Sequence, residues 1–226
     1  MKKLPKLIVI LGATATGKTK LAVDLARALN GEIISADSRQ VYIGMDIGTG
    51  KDLEAYRQGE NRLKYHLIDV VAPSTQFDLK SYQKEAYKAI DSVKKKKKVP
   101  ILVGGSGLYL QAVVDGYVLS DIGATPVRNE ELRLDEITAT LGSAFVSKLN
   151  PSEQKNKRRL LRYLDIIEKS KNLHVSLHKE SKPRYESLLI GLEVSIDTIR
   201  KNKKKRLDDR FKEGMIEEVQ RLHAEG

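Results

Sequence analysis

Gly12-Ala13-Thr14-Ala15-Thr16-Gly17-Lys18-Thr19 is the stretch on which the reading of the fold turns. It follows Leu7-Ile8-Val9-Ile10-Leu11, a continuous apolar and β-branched run that predicts a strand buried on both faces. After it, Leu21, Ala22, Leu25, Ala26 and Leu29 recur at helical spacing until Asn30-Gly31 stops the helix. A G-x-x-x-x-G-K-T string between such a strand and such a helix is a phosphate-binding loop. Two glycines let the backbone fold around phosphate oxygens with its N–H groups pointing inward. Lys18 then reaches the outer phosphates, Thr19 is placed to ligate Mg²⁺, and the positive helix N-terminus adds its field.

The rest of the chain extends this pattern. Glu32-Ile33-Ile34-Ser35-Ala36 predicts a second strand, His66-Leu67-Ile68-Asp69-Val70 a third and Val99-Pro100-Ile101-Leu102-Val103 a fourth, with Ser187 to Val194 a fifth. Ser81 to Val93 reads as a helix, and Ile196 to His223 as one long charged helix. Strands alternating with helices imply an α/β fold: a P-loop-containing parallel sheet flanked by helices. Residues 121–160 are polar, helical and poor in β-branched runs, so they predict a small helical insertion between core segments 1–120 and 161–226.

Composition narrows the class further. The 226 residues carry 41 Lys+Arg against 30 Asp+Glu, a net charge of +11. From Pro151 to Gly226 there are 19 Lys/Arg against 13 Asp/Glu, so about half of the surplus falls in the last third. A polyanionic partner fits that bias, although a solvated lysine-rich surface fits it equally well. No apolar run is long enough to span a bilayer, no secretory signal precedes the P-loop, and there are no cysteines. A cytoplasmic protein is expected.

A P-loop alone leaves nucleoside kinases, NTPases and transferases with a diphosphate leaving group all open. The segment from Ile33 to Lys51 places Asp37, Ser38, Arg39 and Gln40 just beyond a strand, at the sheet edge where open α/β folds bind ligands. Taken alone, Asp37 reads as a helix N-cap more readily than as a base. Asp69 reads equally as a metal-side carboxylate or as a strand-end residue satisfied locally. Lys201 to Arg206 reads as an RNA grip or a solvated face, His66 as structural, and Tyr42 and Tyr109 as core or base-stacking residues.

The P-loop followed by Asp37-Ser38-Arg39-Gln40-Val41-Tyr42 and Met45-Asp46-Ile47-Gly48-Thr49 resembles the tRNA dimethylallyltransferase (tRNA isopentenyltransferase) family. The resemblance continues through His66 to Asp69, Val103 to Tyr109, Arg158 to Asp165 and Arg206 to Phe211. It implies transfer of a dimethylallyl group from dimethylallyl diphosphate to N6 of an adenosine beside the anticodon of a tRNA.

In that reading the P-loop, Gly12 to Thr19, holds the leaving diphosphate. Lys18, Mg²⁺ on Thr19 and Arg210 neutralise its charge, with Arg206 one helical turn before Arg210. Asp37 is the general base. Ser38, Arg39 and Gln40 surround the flipped adenine, and Ser106, Arg128, Arg158, Arg159, Leu160, Leu161 and Arg162 contact the tRNA. The competing readings are an adenylate isopentenyltransferase acting on a free nucleotide, a small-molecule kinase, and a non-catalytic RNA-binding remnant. The insertion lacks the His-Pro-Asn-Asp type sequence of that family, and Ala13 and Thr16 depart from its P-loop. A C-terminally shortened, monomeric member without a membrane partner is expected.

Overall fold

The computed structural model describes residues 6–57, 62–119, 131–170 and 183–225. The chain divides into two compact units, Met1–Tyr117 with Ser181–Gly226, and Val118–Glu180.

The first unit is built on five parallel strands: β1 (Leu7–Gly12), β2 (Gly31–Ser35), β3 (Tyr65–His66), β4 (Val99–Val103) and β5 (Ser187–Leu192), in the order β3-β2-β4-β1-β5. Alternation along each central strand sorts its side chains to the two faces. Leu7 and Val9, with Ile34 and Leu102, pack against Tyr82, Ala86, Ile90 and Val93 of α3 (Leu79–Lys95) and Val113 of α4 (Gly107–Val114). Ile8 and Ile10, with Ile33, Ile101 and Val103, meet Ala22, Val23 and Ala26 of α1 (Lys18–Ala28) and Tyr56 of α2 (Leu53–Arg57). Burial on both faces is why these strands are almost uninterruptedly apolar.

Two expectations change. The third strand is only two residues long, because Leu67 and Asp69 adopt left-handed φ values of 63° and 54° and leave the ladder. The long C-terminal helix is two helices, α9 (Ile196–Lys212) and α10 (Met215–Ala224). They are separated by Gly214 at φ 95°, a conformation that glycine adopts without steric cost.

The second unit is helical among its described residues: α5 (Leu134–Leu141), α6 (Ser143–Val146), α7 (Pro151–Gln154) and α8 (Lys157–Ser170). Ile137, Leu141 and Leu149 share one core with Leu160, Leu161 and Leu164 of α8. The expected break at residue 160 therefore falls inside a helix that belongs to the insertion, and the boundary moves to Glu180.

Candidate functional site

The order β2-β4-β1 sets three carboxyl ends side by side: the loop at Asp37, the loop at Gly104 and the P-loop. Two glycines allow the close approaches there. A Cβ on Gly12 (φ 154°) would lie 2.7 Å from the Leu192 carbonyl oxygen, and one on Gly104 would lie 2.0 Å from that of Ala36. Gly17 (φ 89°) starts α1, whose first turn carries no acidic residue to offset its positive end. Within the loop, Thr16 Oγ1 donates to the Ala13 carbonyl at 2.9 Å, and Lys18 Nζ donates to the same oxygen at 2.5 Å.

Arg206 and Asp37 act electrostatically on both Lys18 and Arg210. Burial, then the positive charge of Arg206, pulls the Lys18 ammonium below its ordinary range, while Asp37 pulls it partly back. Burial and Arg206 likewise lower Arg210, opposed by Glu213, Asp37 and Glu218. Asp37 is no helix cap. Its Oδ1 accepts the Arg39 N–H at 2.9 Å in a local turn, and it makes no ion pair among the described residues. Its charge also adds to the upward push that burial gives Tyr82 and Tyr109 (the latter to about 12), which stack with centroids 3.9 Å apart.

The helix α9 aims one stripe at this edge. Asn202 Nδ2 donates to the Ala15 carbonyl at 3.1 Å, Arg206 to that of Gly50 at 3.2 Å, and Arg210 to that of Gly48 at 3.1 Å. A spacing of four keeps the three side chains on one helical face. Gln40 Nε2 reaches the Gly50 carbonyl as well, at 3.1 Å. The Ser38 N–H donates to Ser106 Oγ at 3.0 Å, and Ser106 Oγ lies 3.3 Å from Ser38 Oγ. Lys18, Asp37, Ser38, Gln40, Ser106 and Arg210 are thus assembled at one sheet edge, with Arg39 exposed beside them.

The remaining sequence candidates separate. Arg158 and Arg159 are exposed on α8 in the helical unit, and Arg162 is partly exposed there. Leu160 and Leu161 are 0% and 3% exposed, so their side chains are core and not an RNA surface. Arg128 lies outside the described residues. Asp69 is taken by the Lys51 ammonium, which also binds Asp46 at 2.7 Å and the Tyr42 carbonyl at 2.6 Å. His66 is structural, its Nε2 2.8 Å from buried Glu32. Tyr109, 7% exposed and stacked on Tyr82, is core.

Lys51, Asn202, Arg221 and Glu218 were not singled out by sequence reasoning. In the sequence Glu218 lies inside the one long charged helix; in the structure it falls in the first turn of α10, beside Glu217. Nothing in the sequence links it to residues 46–48, some 170 positions earlier.

The donor set suits a cation held largely by substrate. No group of three or more His, Cys, Asp or Glu side chains forms a metal cluster among the described residues, and Asp69 is spent on Lys51. Thr19, in the first turn of α1, carries a hydroxyl directly after the Lys18 of the phosphate loop. That fits Mg²⁺, which keeps its waters and is held chiefly through phosphate oxygens. No helix among the described residues is long and apolar enough to cross a membrane.

The model of the IPP transferase family matches residues 40–226. The chain is 43% identical over 228 residues to tRNA dimethylallyltransferase 2 of Citrifermentans bemidjiense, covering 100% of this chain and 72% of that protein. It is 41% identical to tRNA dimethylallyltransferase 2 of Treponema denticola, covering 97% and 74%. Among solved structures, the tRNA delta(2)-isopentenylpyrophosphate transferase of Staphylococcus epidermidis superposes with a TM-score of 0.65 at 33% identity, over 97% of this chain and 74% of that one. A eukaryotic dimethylallyltransferase acting on tRNA superposes with a TM-score of 0.81 at 26% identity, over 96% and 56%.

Proposed function

The chain belongs to the IPP transferase family and is a tRNA prenyltransferase; from that premise we propose how its residues carry out the transfer. The donor is dimethylallyl diphosphate and the acceptor is N6 of the adenosine beside the anticodon. The observation that carries this reading is that Arg206 and Asp37 act on Lys18 of the P-loop and on Arg210 alike, while α9, which carries both arginines, touches the loop through Asn202; Asp37 makes no ion pair among the described residues.

The P-loop amides and the Lys18 ammonium bind the diphosphate. N6 of the adenine attacks the allylic carbon, the carbon–oxygen bond to the diphosphate breaks, and the bonding pair leaves with the diphosphate. The amine proton passes to Asp37. Charge developing on the leaving oxygen is met by Lys18 and Arg210, groups already fixed before the bond breaks. Mg²⁺ on Thr19, when bound, adds neutralising charge to the diphosphate.

Gln40 offers both a donor and an acceptor to the adenine edge, with Ser38, Arg39 and Ser106 around it. Arg158, Arg159 and Arg162 supply phosphate contacts from the helical unit.

Mass spectrometry of tRNA nucleosides after incubation with the protein, dimethylallyl diphosphate and Mg²⁺ tests this reading. A new N6-prenylated adenosine, with one inorganic diphosphate released per transfer, is expected. Transfer to AMP with none to tRNA would identify a free-nucleotide enzyme instead.

A further inference from the structure

We infer that Glu218 is a positioning residue for prenyl transfer: it grips the 44–51 loop by its amides, so that the loop's carbonyls hold Arg206, Arg210 and Gln40 in place. Its carboxylate accepts three consecutive backbone N–H groups, from Asp46 at 2.8 Å, Ile47 at 2.7 Å and Gly48 at 2.9 Å. Glu218 is 8% exposed and makes no ion pair among the described residues; these amides are its hydrogen-bond partners, with the Arg210 charge close enough to act on it. The inference rests on the reading of Arg210 as a ligand of the leaving diphosphate.

The loop needs such a grip. None of residues 44–51 belongs to either core cluster of its unit, so apolar packing does not fix its position. Polar contacts hold it instead: Lys51 to Asp46, Asp69 and the Tyr42 carbonyl, Gln40 to the Gly50 carbonyl, and clasps from α9 and α10. Arg210 holds the carbonyl of Gly48, Arg206 that of Gly50, and Arg221 that of Gly44 at 3.1 Å. Among the described residues, Glu218 is the side chain from these two helices that accepts amides of the loop, where the three arginines donate to its carbonyls.

A guanidinium has five N–H donors, so one bond to a loop carbonyl leaves the others for phosphate oxygens. Anchoring it before substrate arrives reduces the ordering cost on binding. Gln40 shares the Gly50 carbonyl with Arg206, so displacement of the loop disturbs the adenine side and the diphosphate side together.

The test is a double-mutant cycle on kcat/KM for tRNA prenylation, with Glu218→Gln and Arg210→Ala singly and combined. The Gln amide nitrogen would face an N–H that the carboxylate had accepted. E218Q is expected to lower kcat/KM by about 10- to 100-fold, as loss of a supporting hydrogen-bond partner does at other sites. In the R210A background it should lower it by less, because the share of its effect that passes through Arg210 is then already lost and only the share through Arg206 and Gln40 remains.

Hydrogen exchange at amides 46–48 should accelerate in E218Q, while Glu218→Asp, which keeps the charge, should recover part of both the protection and the rate. If E218Q does not fold, E218D and its exchange rates carry the test. Loss by the same factor in both backgrounds, or wild-type activity with the 46–48 amides unprotected, overturns the inference. Wild-type activity in R210A would sink the underlying reading of Arg210 itself.

Discussion

Gln40 and Arg206 converge on one atom: the Gly50 carbonyl oxygen accepts from Gln40 Nε2 at 3.1 Å and from Arg206 at 3.2 Å. Gln40 follows β2 on the side read as facing the adenine, whereas Arg206 comes from α9 and faces the phosphate loop. A single carbonyl thereby joins a residue that follows β2 to one on α9, in a loop none of whose residues belongs to the core clusters of its unit.

That relationship makes Gly50 sensitive. A Cβ there would lie 1.7 Å from Nη2 of Arg210 and 2.0 Å from Nη2 of Arg206, on a residue at φ 66°. Gly50→Ala must displace both guanidiniums and strain the backbone at a cost of about 1–3 kcal/mol. Steady-state kinetics should show kcat/KM lowered for donor and tRNA alike, with a melting temperature lowered by only a few degrees. Unchanged kinetics would show that neither arginine serves the site from its observed position.

On the helical unit, Arg158→Ala should weaken tRNA binding without changing the rate at saturating tRNA. A lost phosphate contact reduces the slope of log K against log salt by about one. Titrations across a salt series read this directly, and an unchanged slope would remove Arg158 from the interface.

Leu160 lies on the same helix and belongs to a different class. With its side chain 0% exposed, Leu160→Ala should cost about 2–5 kcal/mol of stability through cavity formation, measured by denaturant unfolding. Weaker tRNA binding with no loss of stability would return it to the RNA surface that the sequence had assigned it.

Glu32 sets an acid limit on the fold. Burial alone would push its carboxyl up, but hydrogen bonds from His66, Lys96 and Lys98 outweigh that and bring it down to about 2 from 4.5. Between these values the unfolded chain binds a proton that the folded chain does not. This stabilisation is therefore complete above pH 4.5 and is lost as the pH falls toward 2. The urea midpoint should drop more between pH 5 and pH 3 in the wild type than in Glu32→Gln. An equal drop in both would refute the assignment.

The parts of this molecule that were legible in the sequence are those encoded locally. The run Leu7 to Leu11 announced a buried strand, and the glycines after it announced a turn from that strand into a helix, because each depends on near neighbours. The strand expected from His66 to Val70 failed where Leu67 and Asp69 turn left-handed, a conformation that tertiary contacts impose and an apolar pattern does not reveal. The long helix failed at Gly214, whose tolerance for positive φ permits a break without requiring one. In Leu160 and Leu161 a basic motif concealed two core residues, since one face of the helix packs while Arg158 and Arg159 on it stay exposed. Glu218 left no trace, because its three partners lie some 170 positions away and are backbone amides, which every residue but proline carries.

The central claim is that the P-loop holds a leaving diphosphate while Asp37 takes the proton of the attacking amine. Single-turnover transfer to tRNA by Asp37→Asn, measured beside the affinity of that variant for dimethylallyl diphosphate, tests it most directly. The account predicts transfer slowed by about 10²–10⁴-fold, the usual range for general base catalysis, with donor affinity nearly unchanged. Transfer at the wild-type rate, or a loss explained wholly by weakened donor binding, would contradict it.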